Sequence, residues 1–428
     1  MAEPHNSMTT ENGHVSPWAP LREPLFRSLW IAAVISYTGT WMQNMGAGWL
    51  MTQLTMSPLM VGLVQAATTL PVFLVILPAG ALADMVDRRR FLLVTQGWMV
   101  VAASALGILS ITHHVTPWLL LLFTFVLGLG AVMNDPAWQA ITPEIVPARC
   151  HAPAVALGSV GFNLARSIGP ALGGLVIAMV GSGVAFLLNA LSFFGVIFFL
   201  YRWQRTPSGE IKEGRVSDAV RKGLQYVRND PMARCVLIRT GAFSLGASSL
   251  LAFLPILARP HGPTGYGLSL GSFGLGALAG AVALPGLRRR LSVDRVVVPA
   301  TLVFALMTFL AGRVHAFAVF GLILFFSGMA WISIVACLNI AAQTMSPPWL
   351  RARALSMYIL VLQGGMAIGS ALWGALATRL GVPDTLLCSA AALMAGLLTV
   401  RRYQLKSREI GFGASAMRDG GPMVQSEL

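Results

Sequence analysis

The chain has 428 residues, of which 56% are hydrophobic and only 11% are charged, and its 30 Lys and Arg against 16 Asp and Glu leave a formal net charge of +14. A soluble domain carries roughly 25% charged residues and roughly 45–50% apolar residues. This shortage of charge excludes an ordinary water-soluble protein and predicts a chain dissolved in lipid.

Apolar stretches recur along almost the whole chain. The first 24 residues are polar, contain proline and lack the basic-then-apolar pattern of a secretory leader, so we expect a disordered tail and no cleaved signal. Beyond them, each run of about 20 apolar residues is long enough to cross a hydrocarbon core of ~30 Å as a helix. We therefore predict an all-α membrane protein with twelve transmembrane helices. The predicted spans are 26–50, 58–82, 91–112, 117–140, 153–180, 183–202, 236–258, 267–287, 296–312, 315–342, 353–378 and 384–401.

The basic residues follow the pattern of a membrane topology. All Lys and Arg except Arg166, Arg259, Arg313 and Arg379 fall in the two tails or in loops on one side of the predicted membrane, a group in which we place the basic segment 202–239. Cytoplasmic loops carry such an excess. We therefore expect both termini in the cytoplasm and no nucleic-acid partner.

An internal repeat relates the two halves of the chain. Arg88–Arg90 after span 2 match Arg288–Arg290 after span 8, and GPALGG in span 5 matches GSALWG in span 11. Six spans followed by six spans in parallel orientation is the layout of a transporter with a midplane site. The predicted units are a cytoplasmic tail (1–24), a six-helix bundle (25–202), a linker (203–235), a second six-helix bundle (236–402) and a C-terminal tail (403–428). Helical spacing in 216–230 predicts an amphipathic helix, which either lies on the cytoplasmic membrane surface or is a solvated linker helix.

The segment GALADMVDRRR, residues 80–90, closes span 2 with small residues, then a carboxylate, then three arginines. It resembles the loop signature of the major facilitator superfamily, with Asp87 in place of the usual glycine. The resemblance implies that Asp84 faces the positive N-terminal end of span 11 and that Arg88 reaches Glu144 at the end of span 4, latching a gate. An ordinary charged loop is the alternative. The predicted cytoplasmic gate comprises Gly80, Asp84, Arg88, Arg89 and Glu144.

Span 4 contains Asp135, which with Arg166 is the only charge clearly inside a predicted span. Burial favours the neutral form of a carboxylate, so such a group can take up a proton, as proton coupling requires. Asp135 is therefore either a proton-coupling residue or a residue of a helix end or gate. The family's exporters often carry an arginine motif on span 4, but this chain has Thr124 where that arginine belongs.

Span 5 contains NLARSIGPALGG, in which Arg166 is the only charge. Arg166 lies about 13 residues into the span, near the bilayer midplane, where an arginine costs ~2.5–3.5 kcal/mol even on a lenient scale. We therefore expect it to face the bundle interior, with Asn163 and Pro170 on the same helical face. It either attracts an anion or couples transport, or it is a structural arginine tied to carbonyls or to Asn163.

The glycines of span 5 resemble the signature of superfamily exporters that exchange substrate for an ion. Small residues permit close packing against the opposite bundle, and a proline leaves a carbonyl unpaired and bends the helix. Generic small-residue packing is the alternative. The motif residues are Gly161, Gly169, Pro170, Gly173 and Gly174.

Polar groups inside the spans complete a candidate cavity. The predicted substrate-cavity residues are Arg166, Asn163, Gln43, Asn44, Gln65, Asn339, Gln363 and Trp331, and Asn189, Trp41 and Trp138 are further candidates. The four cysteines are scattered without metal spacing, so we expect no disulfide framework, no metal site and no cofactor.

Segments 36–58, 77–90, 134–147 and 163–174 resemble the superfamily branch that includes the enterobactin exporter and macrolide-efflux proteins. The resemblance implies a proton-coupled exporter of a siderophore-like or drug-like small molecule, working by alternating access in the bacterial inner or plasma membrane. We expect a monomer, although the sequence does not determine the oligomeric state. An importer or a lysophospholipid flippase on the same fold, or a membrane sensor without transport, are the alternatives. No Walker sequence and no clustered catalytic constellation are present, so we expect neither an ATP-driven pump nor an enzyme.

Overall fold

The computed structural model describes residues 16–85, 87–202, 230–344 and 351–402, without the side chains of 77–85, 136, 137, 140, 143, 352, 401 and 402. Within these ranges the chain forms twelve long helices, α1 to α12, and a short final helix, α13. Their bounds are α1 (Pro24–Leu54), α2 (Pro58–Met85), α3 (Arg88–Ile111), α4 (Pro117–Ile145), α5 (His151–Val180), α6 (Ser182–Arg202), α7 (Pro231–Leu257), α8 (Gly262–Arg288), α9 (Val293–Ala311), α10 (Phe317–Thr344), α11 (Arg351–Leu380), α12 (Val382–Gly396) and α13 (Leu398–Arg402).

Each predicted span coincides with one helix of the same number, so the predicted fold class is confirmed. The bounds differ by a few residues, and the predicted span 12 covers both α12 and α13. Ten stretches of the described chain are long and apolar enough to cross a membrane, and one of them, Pro231–Arg288, contains both α7 and α8. Helix α1 is not one of the ten.

Two glycines end corresponding helices in the two halves. Gly181 follows α5 with φ +86° and Gly381 follows α11 with φ +78°, a conformation that residues with a Cβ rarely adopt. Each donates its backbone N–H to the carbonyl four residues earlier at 3.0 Å. Because α6 and α12 begin at the next residue, both glycines set the same sharp reversal, as the internal repeat predicts.

The two halves meet along two equivalent helix pairs, α2 with α11 and α5 with α8. A Cβ at Gly62 would lie 2.7 Å from the carbonyl oxygen of Ser370, and one at Gly174 would lie 2.6 Å from that of Pro263. Only glycine permits backbones to approach this closely. Both contacts lie where α2 and α8 begin and where α5 and α11 end. The halves therefore close together on the face opposite the described chain ends, which we call the distal face.

Residues 16–24, which we expect to belong to a disordered tail, are folded against the bundle. Ala19–Arg22 form a 3-10 turn, and Ala19 is 2% exposed. This turn packs with Val146 and Cys150 of the α4–α5 connection. The expectation fails here because partners more than a hundred residues away bury the segment, and local composition does not reveal them.

Arg239 lies inside α7, although we expect it to belong to the cytoplasmic basic segment. It is 4% exposed, and its Nη1 donates to the carboxylate of Asp294 at the start of α9. The ion pair compensates the buried charge of Arg239, although the Nη2 of the same guanidinium has no hydrogen-bond partner in the described chain. The prediction that Asp135 and Arg166 are the only charges inside spans is therefore wrong.

The predicted amphipathic helix at 216–230 falls almost entirely within 203–229, outside the described residues, and the C-terminal tail 403–428 also lies outside them. These assignments and the domain boundaries stay predictions.

The glycine contact between α5 and α8 yields a prediction about stability. A Cβ at Gly267 would lie 2.5 Å from the carbonyl oxygen of Pro170, whereas one at Gly286 of the same helix has nothing within 4 Å. We expect Gly267→Ala to lower the free energy of unfolding by about 1–3 kcal/mol because the helices must separate. The control Gly286→Ala should leave it unchanged or raise it by up to about 1 kcal/mol. Thermal unfolding in detergent measures both, and equal melting temperatures would contradict the packing argument.

Candidate functional site

A cavity of ≈ 430 Å³ lies between the two halves, and we call it the central cavity. Its walls come from α1, α2 and α5 in the first half and from α7, α8, α10 and α11 in the second. Its lining is mostly aliphatic and includes five aromatic side chains, and among its described lining residues there is one cation and no acid. The polar and aromatic lining residues are Trp41, Asn44, Gln65, Thr68, Thr69, Phe162, Arg166, Tyr266, Phe273, Trp331 and Gln363.

Arg166 provides the charge of the central cavity. Its Cζ lies 5.6 Å from the centre of the Trp41 ring, and that ring makes an edge contact with Phe162 at 6.1 Å. A cation on an aromatic face gains ~2 kcal/mol when desolvated. The guanidinium makes no hydrogen bond or ion pair with any residue the structure describes. Its N–H donors are therefore available to a ligand.

The glycine motif of α5 positions Arg166 against α1. A Cβ at Gly161 would lie 2.7 Å from Val34 Cγ2, and one at Gly169 would lie 2.7 Å from Trp41 Cβ. Gly173 makes a similar approach to Met42, and only Gly174 contacts the opposite half. The expected close packing against the opposite bundle is therefore made by Gly174 alone among these four glycines, and the other three fit α5 to α1.

A second cavity of ≈ 120 Å³, which we call the Asp135 chamber, lies within the first half. Asp135 is accessible from this chamber and makes no hydrogen bond or ion pair among the described residues. It is within electrostatic range of the Tyr37 hydroxyl. The other polar lining residues are Thr40, Gln43, Asn44, Thr68, Thr124 and Asn189.

Two buried amide pairs brace the helices around this chamber. Asn189 Nδ2 donates to Gln43 Oε1 at 2.5 Å, which joins α6 to α1. Gln96 Nε2 donates to Asn134 Oδ1 at 2.9 Å, which joins α3 to α4 directly beside Asp135. Each bond satisfies one donor and one acceptor that would be costly to bury unpaired, although Gln96 Oε1 has no partner among the described residues.

The predicted site residues divide between these two compartments. Arg166, Asn44, Gln65, Gln363 and Trp331 line the central cavity, and Gln43, Asn44 and Asp135 line the Asp135 chamber.

Two predicted cavity residues lie elsewhere. Asn163 is exposed and donates to the carbonyl of Ser159 at 2.8 Å, and Asn339 accepts from Gln343 at 2.5 Å. Neither is among the described lining residues. Both side chains bond within their own helix, which is the nearest partner for a short amide.

Three aromatic lining residues, Phe162, Tyr266 and Phe273, were not predicted. Tyr266 and Phe273 are seven residues apart in a glycine-rich stretch of α8, so they lie on one helical face. That spacing is the signal that could have identified them.

The predicted gate is partly within the described residues. Arg88 Nη1 donates to Glu144 Oε1 at 2.8 Å, with side chains 28% and 18% exposed, so the implied ion pair is present. Arg89 instead donates to the carbonyls of Leu200 and Tyr201 at 2.8 Å and 2.5 Å. It caps the end of α6 and does not contact Glu144, because these last carbonyls lack helical partners. Gly80 and Asp84 lie in the part of α2 whose side chains the structure does not describe, so their predicted roles stay predictions.

Loss of the Arg88–Glu144 pair should loosen the connections that it joins. A partly exposed pair contributes about 1 kcal/mol, so we expect Arg88→Gln or Glu144→Gln to speed amide exchange in the α2–α3 and α4–α5 connections about fivefold. Combining Arg88→Glu with Glu144→Arg should restore most of the protection. Hydrogen exchange read by mass spectrometry measures this. Arg90→Gln, an exposed neighbour, is the control, and an equal effect there would contradict a specific pair.

Comparison with known proteins shows which family this chain belongs to. Residues 15–427 match the family described as transmembrane secretion effectors. The chain is 24% identical to the multidrug efflux pump Tap of Mycolicibacterium fortuitum over 404 residues, 91% of this chain and 98% of that protein. It is 24% identical to the enterobactin exporter EntS of Salmonella choleraesuis over 366 residues, 82% of this chain and 86% of that one. It is 26% identical to the staphyloferrin A transporter of Staphylococcus aureus over 164 residues, which are 38% of this chain and 41% of that transporter.

Solved structures share the fold at low sequence identity. A bacterial homologue of the human lysosomal transporter Spinster, in an inward-facing and unoccupied conformation, superposes with a TM-score of 0.70 at 12% identity, covering 90% of this chain and 98% of that one. The nucleoside transporter NupG gives 0.71 at 13% identity, covering 88% and 99%. The chain therefore belongs to the transmembrane secretion effector family of the major facilitator superfamily, whose members are multi-pass membrane transporters and not enzymes.

Proposed function

We infer that this protein exports small aromatic organic anions across the bacterial inner membrane by alternating access, in exchange for protons. The observation that carries the proposal is the guanidinium of Arg166, which lines the cavity between the two halves beside the Trp41 ring and has no hydrogen-bond or ion-pair partner among the described residues. In lipid, an arginine that serves only structure is expected to be paired. An unpaired one at the substrate position of a transporter fold supports a role in holding cargo.

The cavity chemistry supports a cargo with a negative group and a ring. A guanidinium stays protonated and binds carboxylates or phenolates through two parallel hydrogen bonds. Trp41, Phe273 and Trp331 provide ring surfaces for stacking. A volume of ≈ 430 Å³ falls within the usual ~300–1,000 Å³ of ligand pockets. Siderophore-like and drug-like molecules fit this description, in keeping with the names of the relatives.

The charge distribution supports an orientation with both termini in the cytoplasm. The basic loops then lie inside, and the distal face lies outside. On this orientation the glycine contacts between α2 and α11 and between α5 and α8 form an outer closure. A cavity closed on the outside is suited to receive cargo from the cytoplasm.

Asp135 supports proton coupling. It is a carboxylate without an ion-pair partner among the described residues, set in a chamber next to the central cavity. An unpaired carboxylate inside a membrane protein can gain and lose a proton as its access to water changes. The proposal gives Asp135 the coupling role and Arg166 the cargo role.

Arg166 should determine cargo affinity. Using 3,4-dihydroxybenzoate as a probe and purified protein in nanodiscs, we expect Arg166→Gln to weaken binding about 10- to 100-fold, because charged hydrogen bonds contribute about 1.5–3 kcal/mol. The affinity of Arg166→Lys should lie between those of the wild type and Arg166→Gln, since lysine keeps the charge but loses the planar, two-pronged donor geometry of the guanidinium. Isothermal titration calorimetry measures the affinities.

Arg313→Gln is the matched control for Arg166, because Arg313 also lies over an aromatic ring, at 4.5 Å from Phe309, but far from the cavity. It should bind the probe as the wild type does. Wild-type affinity in Arg166→Gln would leave Arg166 only a structural role.

Asp135 should couple transport to protons. In inside-out vesicles with an acidic lumen, the wild type should accumulate the labelled probe, and Asp135→Asn should lose this response while still exchanging labelled for unlabelled probe. The amide cannot take up a proton but preserves the size of the side chain. Flux and counterflow assays measure the two activities separately.

Asp384→Asn, on an exposed side chain at the distal face, is the control and should respond as the wild type does. Gradient-driven accumulation by Asp135→Asn would refute the coupling role. Loss of probe from the lumen of wild-type vesicles under the same gradient would favour import.

A further inference from the structure

The central cavity and the Asp135 chamber share part of their lining. Asn44 of α1 and Thr68 of α2 belong to both. Arg166 lines only the first compartment and Asp135 only the second. Asn44 and Thr68 therefore form a common wall between the proposed cargo site and the proposed proton site.

Most polar groups of the Asp135 chamber are held in one orientation. The hydroxyls of Thr68, Thr40 and Thr124 donate to carbonyls of their own helices at 2.9, 3.0 and 2.7 Å, so they offer only lone pairs to the chamber. Gln43 and Asn189 are bonded to each other, and reversing either amide would break a buried hydrogen bond.

Asn44 differs from these groups. It is half-buried and makes no hydrogen bond with any described residue. Its amide carries an acceptor oxygen and an NH₂ donor on opposite sides, and a half-turn about the last side-chain torsion exchanges them. In the common wall, such a turn changes what the central cavity presents to a ligand from acceptor to donor.

We propose that Asn44 is the positioning residue that transmits the protonation state of Asp135 to the central cavity, an inference that rests on the proposed function. Asn44 and Asp135 line the same chamber without a hydrogen bond between them in this structure, so the proposed contact forms when one of the two side chains changes rotamer. When Asp135 is ionised, its carboxylate accepts from the Asn44 NH₂, so the Asn44 carbonyl faces the central cavity and accepts a hydroxyl of the cargo. When Asp135 holds a proton, its O–H donates to the Asn44 carbonyl. The amide then presents NH₂ to the cavity, and the cargo hydroxyl loses its acceptor.

Proton uptake and cargo binding then exclude each other, as exchange of cargo for a proton requires. The cargo class also becomes narrower, because the molecule must carry an anionic group for Arg166 and a hydroxyl donor for Asn44. An anion without that donor would gain from the NH₂ of the reversed amide. It would therefore bind better, and not worse, when Asp135 is protonated.

Few titratable groups other than Asp135 lie near the common wall formed by Asn44 and Thr68. Among the described side chains, Tyr37 of α1 is the ionisable group within electrostatic range of Asp135. The chamber residues from α2, α3 and α6, including Thr68, Met99 and Asn189, carry no charge. On the cavity side the charge is that of Arg166, which stays protonated.

Two matched probes test the proposal. 3,4-Dihydroxybenzoate has a carboxylate and hydroxyl donors, and 3,4-dimethoxybenzoate has the same carboxylate but only acceptors. Both probes carry one negative charge between about pH 5.5 and pH 7.5, a range that lies above the carboxyl pKa of ~4 and well below that of the phenol groups. Affinities are measured by calorimetry across this range with wild-type protein in nanodiscs, and with Asn44→Leu and Asn44→Ala, the second variant guarding against misfolding of the first.

For the wild type, we expect the affinity of the dihydroxy probe to rise about 3- to 10-fold with pH, the equivalent of one hydrogen bond. The dimethoxy probe should weaken over the same range. In both Asn44 variants the two probes should show the same pH dependence. Gln65→Leu is the control, because Gln65 lines only the central cavity; it should change affinity equally at each pH and keep the opposite trends.

The outcomes separate the two levels of inference. Parallel pH trends of the two probes in the wild type, or opposite trends that survive in both Asn44 variants, would overturn the role of Asn44 and leave the transporter proposal intact. If the wild type binds neither probe, the proposed cargo class falls and the role of Asn44 falls with it.

Discussion

Hydrocarbon offers no hydrogen-bond partners, and this constraint governs the rest of the structure. It forces the backbone into helices and makes polar side chains find partners inside the protein. Hydroxyls such as Thr308 donate to the carbonyl one turn earlier, Gln43 meets Asn189, and Arg239 meets Asp294. Against this background, the groups without such partners in the described chain stand out. Arg166, Asp135 and Asn44 are three of them, and each lines a cavity.

The separation of these groups has a mechanistic consequence. Arg166 and Asp135 lie in different compartments, so neither neutralises the other by direct contact. A cation that stays charged can hold cargo, while a carboxylate in a separate chamber can change its protonation without competing for the same ligand. In the proposed exchange, coupling between them would pass through neutral groups or through movement of helices. Glycine contacts at the α2–α11 and α5–α8 crossings suit such movement, because backbones in contact can separate without unpacking large side chains.

Several features could be predicted from the sequence because they depend on local residue chemistry or on the free-energy cost of placing a polar group in lipid. The apolar runs predict the twelve helices because a span must be long and apolar. Arg166 is expected to face inward because lipid would penalise it, and it does line the central cavity. The contact of Arg88 with Glu144 follows from a resemblance that carries positions as well as residue types. Asp135 and Asn44 are singled out because polar residues in a span are rare.

Other features could not be predicted from the sequence, because they depend on which helix surfaces pack against each other. Asn163 lies next to Phe162 on α5, but Phe162, Arg166 and Pro170, spaced four residues apart, form the cavity wall, and Asn163 bonds to its own helix. Arg89 finds the end of α6, a neighbour that no loop motif specifies. Tyr266 and Phe273 become cavity residues only because α8 crosses α5.

The sequence by itself determined that the chain spans a membrane with twelve helices in two related halves, because length, apolarity and repetition are properties of residues in order. It also determined which polar groups lie inside apolar spans, where exposure to lipid would carry a large free-energy penalty. Only the tertiary structure decided which of these groups face one another, because burial, pairing and shared walls are properties of helices in contact. That is why the separate placement of Arg166 and Asp135, with Asn44 between their compartments, appears only when α1, α2, α4 and α5 are packed together.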